Sequence, residues 1–115
     1  MRRQYINLKE LFKEIENAVV SHFELKEDEI FKKTKLDRIV YPRQMYFYLC
    51  KTKSKATFQR VVDSSRGFSN NHANVIYAVG TIEDLLYSDK EVRKDLQQIL
   101  EALKPVTPKY NDNKT

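Results

Sequence analysis

The sequence predicts an all-α fold: a single domain of about six helices containing a helix-turn-helix. Three observations carry this expectation. Only two glycines and three prolines interrupt 115 residues, and strand-like alternation is scarce. Apolar residues instead recur at spacings of three and four, the signature of one buried helical face. Ser, Thr, Asn and Asp stand where helices would begin. A chain of this length makes one domain, and folding buries roughly two thirds of its extended surface. Residues 1–104 are expected to form the domain, and 105–115, opened by Pro105, a flexible tail.

The elements follow in order. Asn7 and Glu10 form a capping box ahead of Leu8, Leu11, Phe12, Ile15, Val19 and Phe23, which share one face of a first helix. Glu27, Asp28 and Glu29 suit the positive end of a short second helix running to about Lys33. Pro42 fits the first turn of a third helix, where its missing N–H costs nothing. Met45, Phe47, Tyr48, Leu49 and Cys50 make that helix apolar around most of its circumference, so it should be central.

Ser54 is the expected cap of a fourth helix with Phe58, Val61 and Val62 inward, ending at Ser64-Ser65-Arg66-Gly67. Ser69, Asn70 or Asn71 would cap the fifth, whose buried side is marked by Val75, Ile76, Val79, Ile82, Leu85 and Leu86. Gly80 interrupts that pattern at a cost near ~1 kcal/mol, which suggests a close helix contact. Ser88-Asp89-Lys90-Glu91 reads as a capping box for a sixth helix with Val92, Leu96, Ile99 and Leu103 at core spacing.

Several function classes fall away. One cysteine makes neither an internal disulfide nor a thiolate zinc cluster, so a reducing compartment is expected. Two glycines cannot build a phosphate-cradling loop. No stretch approaches the ~20 apolar residues of a membrane span, and the first residues lack the apolar run of a signal peptide. Cys50 is expected to be a small core residue and His22 a partner for the end of the first helix. Tyr46 and Tyr48 are expected to pack in the core. No acid pair, activated nucleophile or metal set converges, so neither enzyme activity nor a cofactor nor a metal is expected.

Charge is unevenly distributed. Residues 32–66 hold ten Lys and Arg against Asp37 and Asp63, a net +8 within a chain whose total is +5. Such asymmetry points to a polyanion, nucleic acid ahead of a membrane surface. A short helix, a Gly-containing turn and a longer helix that begins with polar residues is the grammar of a helix-turn-helix. Asn70, Asn71, His72, Ala73 and Asn74 then become the base-reading set. Asn pairs with adenine N6 and N7, His donates to guanine, and Ala meets a thymine methyl. Lys35, Arg43, Lys51, Lys53, Lys55 and Thr57 would hold phosphates.

The block Ile39-Val40-Tyr41-Pro42-Arg43-Gln44 resembles the segment opening the C-terminal DNA-binding domain of the bacterial replication initiator DnaA. His72-Ala73-Asn74-Val75, followed by Ile82-Glu83, is similar to that domain's recognition helix. The likeness spans roughly residues 8–104. It implies a minor-groove role for Lys35, backbone contacts for Arg43 and Gln44, and base reading by His72 with Asn71 beside it. Where the family has Gly-Gly-Arg-Asp-His, this chain has Phe68-Ser69-Asn70-Asn71-His72, so the preferred bases should differ.

The sequence contains no preceding nucleotide-binding module, so the expectation is a stand-alone double-stranded DNA-binding protein. Its role would be regulatory or accessory to replication, in the bacterial nucleoid or a phage-infected cell, and a phage, plasmid or mobile-element product would fit. Replication or transcription proteins are further expected partners, and the state is a monomer or weak homodimer. The alternative is a protein-interaction module that kept the fold and lost DNA reading.

Overall fold

The computed structural model describes residues 7–103. The expected flexible tail beyond residue 104 lies outside them. The described residues form five α-helices and no strand: α1 (Leu8–His22), α2 (Asp37–Thr52), α3 (Phe58–Asp63), α4 (His72–Ser88) and α5 (Lys90–Leu103). The all-α expectation holds, with one helix fewer than expected.

The missing helix is the one expected at 27–33. That stretch closes only isolated turns, with Glu29 N–H on Lys26 O and Lys32 N–H on Glu29 O, each 3.0 Å. Two causes are visible. The Glu29 carboxylate, placed to favour a helix start, accepts from Lys26 N–H and from the Arg38 guanidinium instead. The carbonyls of Ile30 and Lys32, which a helix would direct to later amides, accept from the Arg43 guanidinium. Ile30 is nevertheless fully buried, so the segment is packed down as a loop.

Other boundaries shift for local reasons. Helix α2 starts at Asp37, because Leu36 O accepts from both Ile39 and Val40 N–H at 2.9 Å. Pro42 therefore lies inside the helix, past the first turn, and removes only the hydrogen bond that Arg38 O would accept. Thr57, not Ser54, caps α3, accepting from Arg60 N–H at 3.1 Å. Ser54 folds back to donate to Cys50 O. At the last corner the Asp89 carboxylate accepts from Glu91 N–H, whereas Ser88 donates to Asp84 O, so the expected Ser88 cap is not formed.

Helix α2 is the central element and packs on α1, α3 and α4. Met45, Tyr46, Phe47, Leu49 and Cys50 are all buried, and burial pushes the Cys50 thiol well above its ordinary value. From α1 the core takes Leu11, Phe12, Ile15 and Val19, from α3 Val61 and Val62, from α4 Val75, Ala78 and Ile82, and from α5 Val92, Ile99 and Leu103. Burying side chains of this size stabilises by roughly 1.5–3 kcal/mol each. Ile76 departs from the expected buried stripe: it is 50% exposed on α4. Gly80 departs too, since a Cβ there would meet nothing within 4 Å; no close approach requires it.

His22 ends α1, and its Nε2 lies 2.8 Å from Asp95 of α5, which also accepts from Tyr41 of α2 at 2.7 Å. One carboxylate thus ties three helices together. Burial, with the Asp95 carboxylate beside it, raises the Tyr41 phenol above its usual range.

Candidate nucleic-acid interface

The turn between α3 and α4 sets the geometry of the site. Arg66 and Gly67 adopt left-handed backbone, φ 52° and 85°, a conformation glycine takes without the Cβ penalty. Behind them lies a buried serine pair. Ser65 donates to Val62 O at 2.6 Å, and Ser69 N–H reaches Ser65 Oγ at 3.3 Å. Ser69 Oγ donates to Asn71 O and accepts from Asn71 N–H, both at 3.1 Å, and from the Asn74 amide at 2.8 Å. A second clamp comes from α1, where the buried Glu16 carboxylate accepts both arms of the Arg66 guanidinium at 2.9 Å. That geometry raises the Arg66 pKa further.

The base-reading candidates sit at this tip but differ in what they have free. Asn71 is the cap of α4, and its Oδ1 accepts from Ala73 N–H at 2.7 Å. Asn74 has given its amide N–H to Ser69. A bidentate contact to adenine needs both ends of one amide. Asn70 is exposed and has neither amide end engaged among the described residues, whereas Asn71 and Asn74 each have one amide end oriented by a contact within the turn, with a second lone pair or N–H still available.

His72 opens the helix and is exposed, with its Nε2 2.7 Å from Gln59 Oε1. The Gln59 amide is oriented by Asp63, to which its Nε2 donates at 2.8 Å. The oxygen facing His72 therefore only accepts, the Nε2 proton is occupied, and Nδ1 remains as an acceptor in the neutral ring. Ala73 is exposed beside it.

The cations divide the same way. Of the ten in residues 32–66, four are engaged within the protein. Arg66 holds Glu16 and Arg38 holds Glu29 at 2.8 Å. Lys51 donates to Ala56 O at 2.8 Å and lies 4.6 Å from the Phe58 ring centroid. Arg43, expected on the phosphate backbone, is instead 6% exposed and turned inward. Its guanidinium serves three carbonyls and covers the Phe68 ring at 4.1 Å, and desolvation lowers its pKa. Thr57 has its oxygen committed to capping α3, although its hydroxyl proton is still available.

Lys32, Lys33, Lys35, Lys53, Lys55 and Arg60 have no side-chain partner among the described residues, and all except the half-buried Lys53 are exposed. They divide over several surfaces, Arg60 lining a pocket with Lys9, Glu16 and Arg66 toward α1. A groove of about 680 Å³ brings Lys33, Lys35 and the half-buried Gln44 to Asn74 and Tyr77 of α4. Phe58 places the start of α3 beside His72, ring centroids 6.5 Å apart. Lys53 and Lys55 lie in the connection leading into that helix.

Sequence reasoning missed Lys33 and Tyr77. Tyr77, 70% exposed, stands three and four residues beyond Asn74 and Ala73 on the face of α4 away from Val75, Ala78 and Ile82. Helical spacing alone would have found it. Among the described residues no group of His, Cys, Asp and Glu is placed to hold a metal, and no helix is long and apolar enough to cross a membrane.

A short helix, a left-handed turn and a second helix whose polar first turn is exposed define a helix-turn-helix protein. Residues 12–82 match the family described as the bacterial DnaA protein helix-turn-helix, and the chain belongs to that family. It is 32% identical over 90 residues to the chromosomal replication initiator protein DnaA of Dechloromonas aromatica, covering 78% of this chain and 19% of that protein. Against the same initiator from Thermus thermophilus it is 32% identical, covering 77% and 20%. For Geobacter metallireducens the identity is 28%, covering 77% and 19%. The chain thus spans about a fifth of the length of these curated relatives.

Proposed function

We propose that this chain is a double-stranded DNA-binding domain that grips phosphates with two lysine clusters and reads base edges with the tip of α4, in a regulatory or replication-accessory role. The observation carrying the proposal is the arrangement of free groups. Asn70 and His72 are exposed just ahead of and at the start of α4, Lys33 and Lys35 share a groove with Asn74 and Tyr77 of that helix, and Lys53 and Lys55 precede α3, whose Phe58 lies beside His72. Contacts to phosphate supply affinity and orientation, and base contacts supply discrimination. Lys35 is the candidate for a minor groove and Gln44 for the adjacent backbone.

With His72 Nε2 engaged by Gln59, the neutral ring would accept from an adenine or cytosine amino group rather than donate to guanine. Asn70 is the candidate for a paired contact to adenine. Replacement of the family's Arg and Asp by Asn70 and Asn71 favours a target distinct from the initiator's own.

The test is selection of bound duplexes from a random pool, followed by salt titration of the winner. Neutralisation of four or five phosphates predicts a slope of log K against log salt near −4. A protein-interaction module is favoured by the exposed Leu36, Ile76 and Tyr77. Failure to bind any duplex at low ionic strength would select that second reading.

A further inference from the structure

We infer that Arg43 is a positioning residue that fixes the lysine loop ahead of α2 against the recognition helix. The inference rests on the DNA-binding reading, because positioning matters only if the loop lysines are used. Residues 24–36 contain no helix, and the stretch 32–35 carries Lys32, Lys33 and Lys35. Their mutual repulsion favours an open and mobile loop. Opposing that, one Arg43 nitrogen donates to Lys32 O at 2.8 Å and Ile30 O at 3.3 Å, and the other to Thr34 O at 3.4 Å.

The guanidinium face lies 4.1 Å from the centroid of Phe68, the residue between Gly67 and the buried Ser69. A single planar group thus touches both the backbone bearing the lysines and the turn that aims α4. Only a guanidinium has the fork of donors and the flat face to do both; an ammonium is a point charge on a flexible stem. A cation that is 6% exposed and already serving three acceptors is poorly placed to meet a phosphate. Held in this way, Lys33 and Lys35 keep a fixed offset from Asn74 and Tyr77 across the groove they share.

Arg43→Lys separates positioning from phosphate binding, since it preserves charge and removes the fork. In the free protein we expect trypsin to cut after Lys32, Lys33 or Lys35 about tenfold faster in Arg43→Lys, while circular dichroism shows an intact helical fold. On the selected duplex, affinity should fall about tenfold at an unchanged salt slope. In a Lys33→Ala/Lys35→Ala background that fall should shrink below about threefold, because no loop charge remains to be placed. Should Arg43→Lys fail to fold, Phe68→Leu removes only the stacked face and should speed cleavage about threefold.

Unchanged cleavage, wild-type affinity in Arg43→Lys, or losses that multiply with those of the lysine variants would overturn the inference. If the wild-type protein binds no duplex, the DNA reading fails by itself, and the cleavage rates still decide whether Arg43 holds the loop.

Discussion

Two segments without helix flank the groove: residues 24–36 ahead of α2 and residues 64–71 ahead of α4. The second is held chiefly by its own residues, through the Ser65 and Ser69 hydroxyls, the left-handed Gly67 and the Asn71 cap. The first is held from outside, by a guanidinium nine to thirteen residues further along the chain. The difference separates two kinds of preorganisation. A turn closed by local hydroxyls fixes the direction of one helix, whereas a loop held by a distant side chain is fixed relative to another element. Only the second kind can set the distance between two parts of an interface.

The heaviest loss should follow from cutting the ion pair that ties the turn to α1. Arg66→Met leaves the 3%-exposed Glu16 carboxylate without its guanidinium, and should cost about 3 kcal/mol in urea unfolding. A loss below about 1 kcal/mol would mean that the local hydroxyls suffice. Ser69→Ala tests those hydroxyls. It removes the centre of three hydrogen bonds and should cost about 1–2 kcal/mol. It should leave trypsin cleavage at Lys32–Lys35 unaltered as long as Phe68 stays seated on Arg43.

Gly80→Ala lies outside both segments and serves as their contrast. With open space around the added methyl, it should stabilise the protein by about 0.5–1 kcal/mol in thermal or urea unfolding. Destabilisation would reveal a contact that the structure does not contain.

The smallest effect belongs to the outer side of the loop. Hydrogen bonds from Arg38 and from Lys26 N–H hold the Glu29 carboxyl down to about 2, against an ordinary value of 4.5. Because the folded value is depressed, the stability it lends is fully present above about pH 4.5 and is lost as the pH falls towards 2. Glu29→Gln should flatten the pH dependence of urea unfolding in that window only. A slope identical to that of the wild type would show that Arg38 does not hold Glu29 in solution.

These contrasts track what could be read from the chain. Capping at Asn7, the apolar stripes of α1 and α5 and the Gly67 turn depend on neighbours within a few residues, so spacing revealed them. The 27–33 helix was misread because its acids looked like a helix start, while the competing donor, Arg43, lies outside any local window. The same distance hid the inward turn of Arg43 and the pairing of Arg66 with Glu16, so the net +8 counted charges that are already spent. At the tip, residue types place Asn70, Asn71 and Asn74 together in the base-reading set and leave the cap open between Ser69, Asn70 and Asn71. Only the hydrogen-bond network of the turn distinguishes Asn70, whose amide is unengaged among the described residues, from Asn71 and Asn74, whose amides are already oriented.

On the proposed reading, base contacts and phosphate contacts fall to different residues. Binding of Asn70→Ala and Lys53→Ala to the selected duplex and to a scrambled one, each across a salt series, tests it most directly. Lys53→Ala should weaken both duplexes alike and make the salt slope shallower by about 1. Asn70→Ala should cost ~1–3 kcal/mol on the selected duplex alone, with the slope unchanged. Equal losses for Asn70→Ala on both duplexes would mean that Asn70 does not read bases.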